Sequence, residues 1–456
     1  MARFTIDEII TATDAVCLQN GAVTQVESVG TDSRHVTAGM LFVPLKGERF
    51  DGHDYIEMAV REGAAAVLTD RPIRVEDKTV AVLQVADTRL ALQRLAGYHR
   101  RRFGIDVVAV TGSNGKTTTK ELIASVLAQQ FRVRKTEKNY NNEIGMAMTL
   151  LQLEPADEIC VVEMGMRGRG QIRELAQMAM PTIGVVTNVG VAHLELLGSR
   201  QEVALAKREL IEALPPNGTA VLNYDDERVR QMEQVVAGRT VRYGFDSGAV
   251  VQAMDAEYGI GKTKFVCRVF DEVYPVVLPM IGKHNVYNAL AAIAVGRVLG
   301  ISETKIQKGL QSATHVGMRQ EIERYGDITF INDAYNANPD SLRSSLASLE
   351  QVGDGRKIAV LGNMYELGGA AAKAHREIGM HLTDYGIAAV ITVGDLAAEL
   401  ADGAREVGIA ATACATAEEA VRALHRTVRA GDIVLVKGSR SMQMEQLITA
   451  WKEGIH

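Results

Sequence analysis

The sequence predicts an α/β chain of three domains, and three observations carry that prediction. Its 456 residues exceed what a single core usually serves. Short apolar runs that read as buried strands alternate with helical patterns, the mark of βαβ units and largely parallel sheets. A fresh strand and helix series begins near residue 316. The expected domains are therefore residues 1–87, 88–315 and 316–456.

The first is a small α/β unit, with strands expected at 41–45, 65–69 and 80–85 and a helix at 55–62. A helix over 88–102 follows, its apolar side carried by Leu90, Leu92, Leu95 and Ala96. The run Arg100-Arg101-Arg102 reads as its solvated end, where cations suit the helix dipole. Strands at 107–110, 158–162, 183–187 and 220–223, separated by helical patterns, make the second domain a parallel sheet, and 289–295 reads as a core helix. In the third, strands at 328–331, 358–361, 389–393 and 433–436 predict another open α/β sheet, with ligands at the strand ends.

Fifty Lys and Arg against 56 Asp and Glu give a net charge of -6, and aromatics are only 5%. That balance argues against a nucleic-acid partner. Four scattered cysteines (Cys17, Cys160, Cys267 and Cys414) form no CxxC pair and suit a reducing compartment. Cys160, in an apolar run, reads as a buried inert thiol. The N-terminus lacks a signal-peptide core, and no run of about 18 apolar residues offers a membrane span. A cytoplasmic protein is expected.

The strongest chemical signal is the segment Thr111-Gly112-Ser113-Asn114-Gly115-Lys116-Thr117-Thr118. It leaves a strand and opens a helix. Its glycines let backbone N–H groups turn toward an anion, and the helix N-terminus adds positive potential. Lys116 can reach terminal phosphates, and the Thr117 hydroxyl can face Mg²⁺. The first Walker A glycine is replaced by Val110, so the match is partial. Such a loop marks a nucleoside triphosphate site, and switches, motors, kinases and ligases all use one.

Glu163 stands at the end of a buried strand that should share an edge with this loop, where an acid is an expected Mg²⁺ ligand. Asn188 repeats the layout one strand on, and His193 follows close enough to be a candidate ligand. Lys207 lies in a plain amphipathic helical pattern, which by itself predicts a surface lysine.

Taken together, the segments resemble the ATP-dependent Mur ligases of peptidoglycan synthesis over essentially the whole chain. The first domain contributes Thr31-Asp32-Ser33-Arg34, Gly39 to Gly47 and Asp51-Gly52-His53-Asp54. The second adds the phosphate loop, Asn141-Asn142-Glu143-Ile144-Gly145, Glu163-Met164-Gly165, Asn188 to Glu195, Ala206-Lys207 and Gly282 to Ala289. The third adds Asn332 to Pro339, Leu361-Gly362-Asn363-Met364 and Lys437 to Met442. The Asn-Asn-Glu-Ile-Gly and Asp-Ala-Tyr-Asn-Ala-Asn-Pro forms are those of the member that acts on UDP-MurNAc-tripeptide and D-alanyl-D-alanine.

The resemblance implies a uridine-nucleotide-binding first domain, a central P-loop ATPase domain and a Rossmann-like last domain. It implies Lys116, Lys207 and His193 as catalytic residues. ATP would be held by Gly112, Ser113, Asn114, Gly115, Lys116, Thr117, Thr118, Asn285, Asn288, Arg319 and Asp333. Substrate would meet Ser33, Arg34, Lys46, His53, Asn141, Asn142 and Asn336. Mg²⁺ would be held by Thr117, Glu163, His193 and Lys207, the last as a carbamate. A monomer is expected. A rival within the class, the folylpolyglutamate-synthase-like ligases, shares the P-loop core but lacks the uridine-binding unit. The implied reaction passes through an acyl phosphate, which must be shielded from water. That predicts a last domain that closes on a linker near residue 315. In an unliganded chain, Arg319 or Asp333 would then stand more than about 10 Å from Lys116, beyond any direct hydrogen bond.

Overall fold

A computed structural model describes residues 2–48, 50–137, 139–191, 194–313 and 317–454. It contains three large sheets and a two-stranded ribbon. The first sheet runs in the order Val16–Gln19, Ala81–Gln84, Ala64–Thr69, Met40–Phe42, Ser28–Gly30. All neighbours are parallel except the edge strand Val16–Gln19. The segments after its parallel strands therefore gather at one sheet end, and these hold Ser33, Arg34, Lys46 and His53.

The central sheet has nine strands. Asp106–Thr111 lies between Ile159–Glu163 and Ile183–Val186, all parallel. This placement brings the phosphate loop, Glu163 and Asn188 to one edge. Beyond Arg239–Gly244 the sheet continues as an antiparallel meander, Val251–Gly259, Lys262–Val269 and Glu272–Leu278. Helix Lys283–Val298 is buried almost throughout, as expected of a core helix, and packs on helix Lys116–Leu127.

The last sheet has six strands, in the order Glu321–Tyr325, Ile328–Asn332, Ile433–Lys437, Lys357–Gly362, Ile387–Val393, Ala410–Cys414. Only the first pair is antiparallel. No described helix is long and apolar enough to cross a membrane.

Two local expectations fail. Arg100 is buried, not solvated. Its guanidinium donates to the carbonyls of Ala179, Phe103 and Ile105, tying the end of helix Thr88–Arg100 to helix Gln171–Ala179 and to the segment that enters Asp106–Thr111. Lys207, expected on a surface, is 2% exposed. Its helix, Arg200–Glu212, turns that face inward against the central sheet. Cys160 is buried as expected, and burial pushes its thiol up to about 12.

Candidate active site

The phosphate loop is shaped by two glycines. Gly115 has φ of +80°, and a Cβ there would lie 2.5 Å from Asn288 Oδ1. At Gly112 a Cβ would lie 1.7 Å from Thr187 Oγ1. Neither position admits a side chain. The loop is clamped from the next strand end: Ser113 N–H donates to the Asn188 carbonyl and Asn114 N–H to Asn188 Oδ1, both at 2.9 Å. Thr187 Oγ1 and Asn188 Nδ2 donate to the Asn114 carbonyl, at 2.7 and 3.0 Å.

Lys116 opens the helix and turns back over the loop, Nζ donating to Gly112 O at 3.0 Å. Burial lowers its pKa from the usual lysine value. The Arg319 charge acts the same way and the Glu163 charge opposes it. Glu163 is 1% exposed. Its Oε1 accepts from Asn141 Nδ2 at 2.8 Å, while Oε2 is buried with no hydrogen-bond partner among the described residues. Lys207 likewise has none there, and its pKa is lowered well below the usual value by burial and then by the Lys116 charge.

Thr117, Glu163 and Lys207 line the same cleft. A buried carboxylate oxygen without a donor and a threonine hydroxyl at the helix start, joined by a carbamate were the Lys207 amine carboxylated, would offer an oxygen donor set. This donor chemistry fits Mg²⁺. His193, the remaining expected ligand, lies outside the described residues.

Asn285 and Asn288 sit on helix Lys283–Val298 and are hydrogen-bonded within the protein. Thr119 Oγ1 donates to Asn288 Oδ1 and Asn288 Nδ2 to Asn285 Oδ1, both at 3.0 Å. Asn285 Nδ2 donates to Ile281 O at 2.9 Å. The neighbouring His284 is pushed down to about 4, chiefly by burial.

From the C-terminal domain, Arg319 Nη2 donates to Thr117 Oγ1 at 3.1 Å, and its guanidinium lies 3.9 Å from the centre of the Tyr335 ring. Arg319 thus rests on the P-loop helix, not across a gap of about 10 Å, a spacing at which this bond could not form. The seam is closed because its polar ends satisfy each other. Asn338 Nδ2 reaches Asn114 Oδ1 at 2.9 Å, and Val191 N–H donates to Asp340 Oδ2 at 2.9 Å. Asp333 is held by Lys437 Nζ at 2.6 Å and Ser345 Oγ at 2.5 Å.

These parts line one cleft of about 1900 Å³. It brings together Gly112 to Thr118, Asn141, Asn142, Glu163, Lys207, Asn285, Asn288, Arg319, Asp333 and Asn336. Asn142 also caps helix Glu143–Leu150, its Oδ1 accepting from Gly145 N–H at 2.9 Å.

Ser33, Arg34, Lys46 and His53 are not among the cleft residues. Arg34 forms a two-pronged pair with Asp32 at 2.9 and 2.7 Å, which holds the Asp32 carboxyl well below the usual range. Both His53 ring nitrogens are engaged, Nδ1 with Asp51 at 2.7 Å and Nε2 accepting from Asp70 N–H at 3.2 Å. Functional candidates that the sequence reading did not single out are Tyr335, Asn338 and Lys437, which lie inside motifs that carry the resemblance, and Asp340, which lies just past one. Asn338 had a further local signal, an Asn-Pro helix start.

Comparison with known proteins settles the family. The Mur ligase family catalytic domain matches residues 25–100, the Mur ligase middle domain 110–296, and the Mur ligase glutamate ligase domain 318–440. A UDP-N-acetylmuramoyl-tripeptide–D-alanyl-D-alanine ligase of Synechocystis is 39% identical, over 93% of this chain and 92% of its own. The chain belongs to the Mur ligase family. A ligase of the same name from Bacillus subtilis is 38% identical over 93% of each chain.

Among solved structures, MurF from Acinetobacter baumannii has a TM-score of 0.93 at 32% identity, covering 99% of both chains. MurF from Thermotoga maritima in complex with ADP has a TM-score of 0.84 at 31% identity, covering 93% of this chain and 97% of that one. Folylpolyglutamate synthase of Mycobacterium tuberculosis shares the fold at a TM-score of 0.63 and 18% identity, over 80% of this chain. The Mur ligase fold expected from the sequence is therefore the fold this chain adopts.

Proposed function

We infer that this Mur ligase joins D-alanyl-D-alanine to the terminal carboxylate of UDP-MurNAc-tripeptide at the expense of ATP, giving the pentapeptide precursor of peptidoglycan. The observation that carries the reading is likeness along the full chain to ligases of that name, at 36–39% identity over 93–95% of its length.

The chemistry follows from charge. A carboxylate is a poor electrophile, so it attacks the γ-phosphate, an acyl phosphate forms and ADP departs. The amine of D-alanyl-D-alanine then attacks the carbonyl carbon, loses its proton and expels phosphate. The first step brings two anions together. Lys116, on leaving the Gly112 carbonyl, and Arg319, from the opposite wall, supply two cations to that encounter. The amides at the start of helix Lys116–Leu127 add fixed partial charge.

Thr117, Glu163 and a carbamylated Lys207 would hold Mg²⁺, which when bound screens the phosphate charge. The carbamate forms when the neutral Lys207 amine adds to CO2 and releases a proton. Burial without a hydrogen-bond partner among the described residues supports that assignment. Ser33, Arg34 and Lys46, at the carboxyl ends of the parallel first sheet, suit the uridine nucleotide. Asn336, beside Asp333 and Lys437, suits the dipeptide. Buried thiols at Cys160, Cys267 and Cys414 fit a cytoplasmic enzyme, taken here as a monomer.

The test is phosphate release from ATP with neither acceptor, each alone, and both. Release that needs both, with a product whose mass is the pentapeptide, supports the reading. Release that ignores them, as from a P-loop switch or motor, contradicts it.

A further inference from the structure

Asn338 is the N-cap of helix Pro339–Glu350, with an extended backbone at φ -142° and ψ 167°. Its Oδ1 accepts from Ser341 N–H at 2.9 Å, and Ser341 Oγ accepts from Asn338 N–H at 3.0 Å. This capping box uses only the carbonyl half of the amide. The other half, Nδ2, crosses the domain seam to Asn114 Oδ1 at 2.9 Å.

Asn114 is the middle of the phosphate loop. Its backbone is held entirely by Thr187 and Asn188 of the central domain, so the contact from Asn338 is the part of its restraint that the C-terminal domain controls. Two residues on, Asp340 Oδ2 accepts from Val191 N–H. It lies so close to Gly190 that a Cβ there would be 2.4 Å away. Gly190 N–H in turn donates to Ser113 Oγ at 2.8 Å. One helix start therefore touches the loop both directly and through its neighbour.

A cap requires only an acceptor, and Ser, Asp and Asn serve about equally. Helix stability alone gives no reason for a donor with the reach of an amide. We propose that Asn338 is a positioning residue: by donating to Asn114 it docks the C-terminal domain on the phosphate loop, fixing the loop's shape for ATP while Arg319 is delivered to Thr117. This rests on the reading of the loop as the ATP site.

The test compares the full-length parent with Asn338→Ser, Asn114→Ala and the double variant. Binding of the ATP analogue AMPPCP with Mg²⁺ is measured by calorimetry, alongside turnover and melting. Asn338→Ser keeps the cap but cannot span the seam. It is expected to melt with the parent and bind AMPPCP about three- to tenfold more weakly, the effect of one lost neutral hydrogen bond. The KM for UDP-MurNAc-tripeptide stays unchanged. The double variant binds no more weakly than Asn114→Ala alone. Parent-like AMPPCP affinity in Asn338→Ser, or losses that add in the double variant, would overturn the proposal. So would a melting temperature lowered as far as that of Asn338→Ala, which removes the cap as well, because the loss would then belong to the cap. The binding arm uses nucleotide only, so a parent that binds AMPPCP but forms no pentapeptide faults the acceptor assignment and leaves this test readable.

Discussion

Replacing Lys437 by Met should destabilise the C-terminal domain more than any exposed charge deletion. Lys437 Nζ lies 2.6 Å from Asp333 Oδ2, and the two side chains are 4% and 11% exposed. Met fills similar volume but leaves a buried carboxylate whose one remaining side-chain donor is Ser345, at 2.5 Å. Breaking a buried pair from one side costs about 3–5 kcal/mol. The Ser345 bond places this case near the lower figure. At roughly 2–4 °C per kcal/mol for a domain of this size, the melting transition falls by about 6–12 °C.

The reverse change, Asp333→Asn, should cost less, because Lys437 keeps the Asn336 carbonyl at 2.9 Å. The double variant should cost less than the sum, since no unpaired charge remains. Scanning calorimetry of the three variants reads all of this. A Lys437→Met transition within about 2 °C of the parent, or an equal cost for Asp333→Asn, would refute the reasoning.

Lys207→Ala should lose turnover, and a carbamate carbonyl signal seen by NMR in the parent under ¹³C-bicarbonate should vanish; full activity would remove Lys207 from the site. Gly115→Ala must adopt a left-handed backbone, at about 1–2 kcal/mol, and displace Asn288, whose Oδ1 lies 2.5 Å from the new Cβ. Its ATP KM should rise, and an unchanged KM would show that the loop tolerates a side chain. Arg319→Ala should lower kcat by roughly 100-fold, with the UDP-MurNAc-tripeptide KM held within about twofold. Equal losses in both would mean that Arg319 binds substrate and does not stabilise the reacting phosphates.

Much of the fold was legible because its strands are buried on both faces and read as continuous apolar runs. Expected strands such as 107–110 and 433–436 fall inside Asp106–Thr111 and Ile433–Lys437. The meander from Val251 to Leu278 escaped the βαβ reading, although Lys262–Val269 alternates exposed and buried residues and Gly259 and Gly261 mark its turn. The phosphate loop and Glu163 were readable from local pattern. Lys207 was not, because an amphipathic helix gives no local sign that its lysine faces a cleft instead of water. Lys437 stood in a motif without a role of its own, and Asp340 in none, because their partners, Asp333 and Val191, lie more than 100 residues away in sequence: the pairing of Ile328–Asn332 with Ile433–Lys437 brings the first pair together, and the domain seam the second.

The central claim is that the peptide carboxylate is phosphorylated before the amide forms. UDP-MurNAc-tripeptide carrying ¹⁸O in its terminal carboxylate, turned over with ATP and D-alanyl-D-alanine, tests it most directly. Phosphate carrying one ¹⁸O, with the remaining label in the new amide carbonyl, is the predicted result. Unlabelled phosphate would contradict the account.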